Sequence, residues 1–343
     1  MTGIINGKKK DNPIWKTEIQ AAADSIRLRV FGHVMKNNGG YLSQACSSAE
    51  LFAALYMRIM HLGPSSTPLI PHPFMGVPGP ANPNFFNGGD YNGPKAPGLD
   101  RFIFSPAHYA LVLYAALIEV GRLAPEGLEM FNKDGTTLEM IGAEHSPGVA
   151  TTTGSLAQAL SQAGGIALGR RLKGESGRVF VLMSDGEFQE GQTWEAVQAL
   201  SYYKLDNVIV YADVNQQQCD GPMTDVMNIE PLTSRLESFG ARVFAVDGHD
   251  IDALVEPAEL APDGRPTFVL AYTDPTRGIP LMNDRRPVLH YLRFKDGAER
   301  TRYDEAYTAM LKQDIKKRQH LRQMRLHLEA FEKLTSNGSE THG

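Results

Sequence analysis

Residues 179–221 read VFVLMSDGEFQEGQTWEAVQALSYYKLDNVIVYADVNQQQCDG. A solid apolar run from Val179 to Met183 breaks at Ser184-Asp185-Gly186, and a helical stretch follows from about Gln192 to Lys204. A second apolar run, Asn207 to Ala212, breaks at Asn215. Short apolar runs joined by a helix are the pattern of a buried parallel βαβ unit. Such crossovers are right-handed, and ligands bind beyond the carboxyl ends of the strands. Asp185 and Asn215 each follow their strand, so both oxygen-bearing side chains arrive at one edge. A carboxylate, an amide oxygen and freed backbone carbonyls suit a hard cation such as Mg²⁺. Gly186 lets the backbone approach something bulky, and a diphosphate bridged by that cation is the natural candidate.

The 343 residues suffice for one large α/β domain with irregular insertions, or for two smaller domains. A net charge of −5, with no basic stripe before the C-terminal helix, argues against a nucleic-acid partner. The opening MTGIINGKKKDNPIW has lysines but no apolar core of a secretory signal, and no run approaches the ~20 apolar residues of a membrane span. Cys46 and Cys219 cannot build a disulfide framework, and neither has metal-ligand spacing. These features predict a cytoplasmic protein without membrane partners.

With Asn215 thirty positions after Asp185 and a closing Cys-Asp-Gly, the central stretch resembles the thiamine diphosphate motif of the transketolase superfamily. The resemblance implies that Asp185, Asn215 and the Gln217 carbonyl hold Mg²⁺ against the cofactor diphosphate, with Gly186 beside it. Ser184 stands where the family usually has Gly, either tolerated at a strand end or adding a hydroxyl contact to the diphosphate. Glu190 matches an acidic residue that the family uses at the subunit contact, in a carboxylate network linking active sites.

Outward from this core, residues 15–36 place Ile19, Ala23, Ile26, Val30 and Val34 on one helical face, ended by Asn37-Asn38-Gly39-Gly40. A second helix is expected over 47–62, with Ser47 or Ser48 as N-cap and Glu50 in its first turn. In transketolases the intervening turn carries a substrate-facing histidine. Here Tyr41 matches it, a neutral donor near pH 7 and not a general base. Residues 63–100 hold nine prolines and no periodicity, so they are functional or a partner contact; Phe74, Phe85, Phe86 and Tyr91 predict that they pack down. Next, LDRFIFSPAHYALVLYAALIEVG resembles the family's strand, turn and helix, which puts His108 at a helix start facing the diphosphate.

The segment SPGVATTTGSLAQAL resembles the family turn whose backbone meets the cofactor's aminopyrimidine ring, here Gly154, Ser155 and Leu156. Ala157, Gly164, Gly165 and Gly169 let the following helix pack closely, against a second copy of the chain. Many transketolases have a His-Pro pair contacting the donor sugar where this chain has Met140-Ile141; His145 is nearby but out of register. Further on, Gly240 caps a helix, strand 242–246 follows, and VDGHD reads as a structural turn with Asp250 capping the next helix. After strand 266–273, RGIPLMNDRRPVLHY resembles the segment ending in a histidine that reaches the cofactor or donor, here His290. Arg285 and Arg286 in that loop either greet an anion or form a solvated turn. Residues 303–334 read as a charged amphipathic helix, with Ala306, Met310, Ile315, Leu321, Met324, Leu328 and Phe331 spaced roughly helically, that docks on the domain or on a partner. SNGSETHG reads as a frayed end.

The expected architecture is α/β, a doubly wound and mostly parallel sheet with helices on both faces. A thiamine diphosphate-binding domain spans 1–300, and a helix with its tail spans 301–343. The resemblance covers only the diphosphate-binding half of a transketolase and leaves no room for the pyrimidine-binding domain with its glutamate. It implies an N-terminal subunit of a split enzyme, α₂β₂ with a C-terminal subunit, transferring a two-carbon ketol unit between sugars or sugar phosphates. His108, His290 and Glu190 are the expected catalytic residues. The alternatives are a subunit of an E1-type 2-oxoacid dehydrogenase or decarboxylase, and a non-catalytic scaffold.

Overall fold

The computed structural model describes residues 14–338 other than 78 and 84. The lysine-bearing start, the last residues of the expected frayed end, and the side chains of Leu328 and Phe331 lie outside the described part. Helix α1 (Trp15–Asn37) leads through β1 (Gly39–Gly40) to α2 (Leu42–Ala54). Then come β2 (Arg101–Phe104), α3 (Ala110–Glu119), α4 (Gln158–Leu172), β3 (Val179–Ser184), α5 (Gly191–Tyr202) and β4 (Val208–Val214). A hairpin of β5 (Gln217–Gln218) and β6 (Gly221–Pro222) and the single turn α6 (Met223–Val226) precede α7 (Leu232–Ser238). Strand β7 (Arg242–Asp247), α8 (Ile251–Glu259), β8 (Thr267–Tyr272), β9 (Leu292–Arg293) and the long α9 (Gly297–Gly338) complete the described chain.

Five strands form one parallel sheet in the order β2-β3-β4-β8-β7, and β1 pairs antiparallel with β9. Successive strand residues point to opposite faces, so runs that are apolar throughout must be covered on both sides. Phe180, Leu182, Ile209 and Tyr211 lie in one core with α1, α2, α3 and α8. Val179, Val181, Met183, Val208 and Val210 lie in another with α4, α5 and α7. The doubly wound expectation is thereby met.

The expected face of α1 is wholly buried, and Asn38 ends the helix in the left-handed conformation (φ 59°). Helix α2 departs from expectation: it starts at Leu42, and Ser47, Ser48 and Glu50 are buried inside it. Each finds an internal partner in place of a capping role. The Ser48 hydroxyl donates to the Gln44 carbonyl one turn back (2.6 Å), Ser47 reaches Asp213, and Glu50 pairs with Arg27. Asp250 does cap α8, accepting from the amides of Asp252 (2.9 Å) and Ala253 (3.4 Å).

His249 in the VDGHD turn bridges Glu50 (3.1 Å) and the Asp274 amide (2.8 Å), which ties α2 to the loop after β8. Burial raises the Glu50 carboxyl, but the hydrogen bond with His249 and the Arg27 charge outweigh it and hold it at about 2. Segment 63–100 packs down at Tyr91, which is fully buried and donates to the Pro68 carbonyl (2.7 Å). Leu69, Ile70, Phe74, Met75 and Val77 stay exposed. Helix α9 starts six residues earlier than its expected 303 and lies on α1, where Tyr307 covers Gly32 so closely that a Cβ there would stand 2.8 Å from its hydroxyl. Ala306 and Met310 pack against the core, whereas Ile315 is exposed. Among the described residues no helix is long and apolar enough to cross a membrane.

Candidate active site

Strands β3 and β4 end in register, Ser184 opposite Asp213, so Asp185 and Asn215 leave neighbouring strand tips on the same edge. Both are buried. The Asp185 carboxylate accepts from the Gln216 amide (2.7 Å), and Asn215 Oδ1 accepts from the Gln217 amide (2.9 Å). Gln216 takes a left-handed conformation (φ 59°) that turns the chain back into the β5–β6 hairpin. The hairpin lays Gln218 over Gly186, where an added Cβ would come within 3.0 Å of its amide. Beside Asn215 a cleft of about 390 Å³ opens between Gln216, Gln217, Thr224, Thr273, Asp274 and Arg286.

Behind these side chains sits Asp213, fully buried and missed in the sequence. It accepts from the hydroxyls of Ser47 (2.5 Å), Tyr109 (2.6 Å) and Thr273 (2.5 Å), and from Asn215 Nδ2 (3.2 Å). Burial, and then the charge of Asp213, push the Asp185 carboxyl well above the usual carboxylate range. Two buried acids at one point are short of positive charge. An all-oxygen set of carboxylate, amide oxygen and carbonyl beside them fits a hard divalent cation. Among the described residues no group of three or more His, Cys, Asp or Glu is arranged for a metal, so any cation here depends on the mixed set.

Glu187, also missed, ties three segments together. Its carboxylate accepts from the amides of Ser184 (2.8 Å) and Ala157 (3.0 Å) and from the hydroxyls of Ser105 and Ser184, the last at 3.3 Å. The Ser184 hydroxyl is therefore engaged with Glu187 and not held out for a diphosphate. Gly154 is left-handed (φ +99°), and a Cβ on it would lie 2.4 Å from the Ile141 carbonyl, so only glycine fits this turn. Ser155 and Leu156 follow it at the surface. In α4, Gly164 is used within the chain, where a Cβ would meet Leu200 at 3.0 Å; Gly165 and Gly169 face open space.

Rings from three distant segments meet at the third corner. The His108 and His290 centroids are 5.0 Å apart, and Tyr41 lies 6.0 Å from His108 and 5.5 Å from His290. Gln44 Nε2 donates to the His290 carbonyl (3.2 Å). Burial and the neighbouring His290 push His108 down to about 3, and burial lowers His290. Burial, then Cys219 and Tyr291, raise the Tyr41 phenol. Near neutral pH all three rings are uncharged, each offering hydrogen bonds without net charge.

The remaining candidates lie apart. Glu190 is exposed at the start of α5. His145 is buried against Phe74, with Nε2 3.3 Å from Glu139. Arg285 is tied to Glu299 of α9 (2.5 Å), while Arg286 lines the cleft near Asp274. Asp213 was missed because it directly follows the apolar run and reads as part of the strand, which extends to Val214. Its signal was a charged residue two positions before the amide.

Comparison with known proteins bears on this geometry. The family profile described as "Transketolase, thiamine diphosphate binding domain" matches residues 84–290. A putative uncharacterized transketolase family protein of Sinorhizobium fredii is 37% identical over 258 residues, covering 74% of this chain and 82% of that protein. A 6-deoxy-6-sulfo-D-fructose transketolase subunit of a Clostridium species is 30% identical over 264 residues, covering 76% and 86%. Human transketolase-like protein 2 is 32% identical over 269 residues, 78% of this chain but only 39% of that protein. The solved transketolase of Pichia stipitis superposes with a TM-score of 0.60 at 22% identity, covering 92% of this chain and 48% of that one. The chain thus spans less than half the length of the larger relatives it matches and most of the length of the smaller ones.

Proposed function

The chain belongs to the transketolase family through its thiamine diphosphate-binding domain, and on that premise we propose that it is the N-terminal subunit of a two-component transketolase. The subunit binds thiamine diphosphate with Mg²⁺ and takes part in moving a two-carbon ketol unit from a ketose to an aldose. The observation that carries this reading is the convergence of Asp185 and Asn215 at neighbouring strand tips, where the acids are short of a cation.

Asp185, Asn215 Oδ1 and the Gln217 carbonyl would hold the metal. Gly186 and the Gly154–Leu156 backbone would lie against the diphosphate and the aminopyrimidine ring. Bound thiamine diphosphate supplies the electron sink for breaking and forming the carbon–carbon bond. His108 and His290, kept neutral by burial, can each donate at one ring nitrogen and accept at the other. They would orient the phosphate or donor hydroxyls. Tyr41 donates a hydrogen bond from its phenol, which keeps its proton near neutral pH and so is no general base.

Exposed Glu190 would meet a carboxylate network at a second copy of the chain. The glutamate that completes catalysis belongs to a separate subunit with the pyrimidine-binding domain, which gives an α₂β₂ assembly. The match to this chain covers 82% and 86% of two relatives, one of them termed a subunit, and this supports the division. The domain proper runs up to about the expected boundary at residue 300, with α9, which already begins at Gly297, appended to it.

Co-expression with a candidate second subunit, followed by a screen of ketose donors, tests the assignment. Ketol transfer is expected only with both chains present. Asp185→Ala is expected to abolish transfer together with cofactor binding, since losses even around metal ligands cost ~10–100-fold in affinity. Calorimetry that finds the cofactor bound equally well by Asp185→Ala overturns the site. Activity of the single chain overturns the division of labour.

A further inference from the structure

An asparagine ligand works only one way round. Its oxygen has lone pairs for a cation and its NH₂ has none, yet the two ends of the amide are nearly the same shape. Something must choose between them. At Asn215 the nitrogen donates to the Tyr109 hydroxyl (2.9 Å) and to Asp213 Oδ2 (3.2 Å), while the oxygen accepts from the Gln217 amide (2.9 Å). Turned over, the amide would set its oxygen against a carboxylate oxygen and its NH₂ against a backbone N–H. Tyr109 cannot relieve that clash, because its one proton is already given to Asp213 Oδ2 (2.6 Å). Asp213 is itself held by donors from Ser47 of α2 and Thr273 at the end of β8. Asp213, Ser47 and Tyr109 are all buried.

We propose that Asp213 and Tyr109 act as a positioning pair that locks the Asn215 amide with its oxygen towards the cation; this rests on the reading of Asn215 as a metal ligand. Neither residue needs to touch metal, cofactor or sugar.

Calorimetric titration of Mg²⁺ with thiamine diphosphate, on the full-length chain with its second subunit added where wild-type binding requires it, tests the pair. Tyr109→Phe keeps the ring and removes both hydroxyl contacts, and its Mg²⁺ affinity is expected to fall about 10–100-fold. Asp213→Asn, which can offer either end of its own amide to Asn215, is expected to fall similarly. Ser47→Ala removes a donor to the same carboxylate without touching Asn215; it is expected to lower the melting temperature and keep wild-type Mg²⁺ affinity. Wild type that binds no Mg²⁺ and cofactor overturns the site reading and the pair with it. Clear wild-type binding that Tyr109→Phe and Asp213→Asn match overturns the pair alone. Equal affinity losses in Ser47→Ala and Tyr109→Phe also overturn it, since they would mark a general loss of packing.

Discussion

Replacing Glu187 probes how the site is held together. Its carboxylate is fully buried and satisfies two backbone amides, those of Ser184 and Ala157, together with the Ser105 hydroxyl. Glu187→Ala leaves those donors buried without acceptors, at about 1–3 kcal/mol each. Against this, the variant is relieved of keeping a carboxyl out of water, a strain visible in the upward push that burial gives this group. The net loss is expected at roughly 2–4 kcal/mol, which at about 1.5 °C per kcal/mol for a chain of 343 residues lowers the melting temperature by roughly 3–6 °C.

Glu187→Gln is the sharper test. Both carboxylate oxygens face donors, so whichever end becomes NH₂ meets an N–H head-on, and the isosteric change should forfeit much of the same stability. Thermal melting and amide hydrogen exchange at Ala157 and Ser184 read the outcome. A Gln variant that melts with wild type and protects both amides equally would refute the reasoning.

Other perturbations follow from single observations. Gly154→Ala forces a Cβ into a left-handed turn 2.4 Å from the Ile141 carbonyl, so strain of roughly 1–3 kcal/mol and weaker cofactor binding are expected with an unchanged circular dichroism spectrum. Unaltered cofactor affinity would separate that turn from the site. Glu50 is held at about 2, below its ordinary value of 4.5, so its stabilisation is complete above about 4.5 and is lost as pH falls towards 2. The shift corresponds to about 3 kcal/mol, so the stability gap between wild type and Glu50→Gln should narrow by about that much on acidification, measured by denaturant melts. His108, pushed to about 3, should show ring proton resonances that do not move down to about pH 5, and titration near its ordinary value would contradict the burial argument.

The sheet, its faces and both strand-tip residues were legible in the sequence because parallel strands buried on both sides read as unbroken apolar runs. The first helix was equally plain, since Ile19, Ala23, Ile26, Val30 and Val34 keep helical spacing and all are buried. Helix α2 was misplaced because its first turns, Leu-Ser-Gln-Ala-Cys-Ser-Ser, look like a capped loop. The serines find partners that only the tertiary structure supplies, one of them Asp213 on a strand 166 residues away. Glu187 was passed over for a related reason. As a carboxylate after Asp-Gly it resembles surface chemistry, and only the approach of Ala157 and Ser105 makes it a buried acceptor. The ring cluster was found piecewise, as Tyr41, His108 and His290, because family motifs mark positions while contact between them requires the fold.

The placement of β8 carries a consequence for how the chain is made. It is the last strand of the sheet in sequence yet lies between β4 and β7, and β7 has no other neighbour in the sheet. During synthesis β2, β3 and β4 can pair as they emerge, while β4 keeps an open edge until residues 267–272 arrive. That edge, Val208–Val214, is apolar and destined for burial on both faces, the kind of strand that recruits other chains while it waits. Thr273, which holds Asp213, also arrives only with β8. A ribosome that stalled between Asp247 and Thr267 would release a chain with a sticky sheet and an unfinished strand-tip corner around Asp213, a substrate for chaperones and not a smaller working domain.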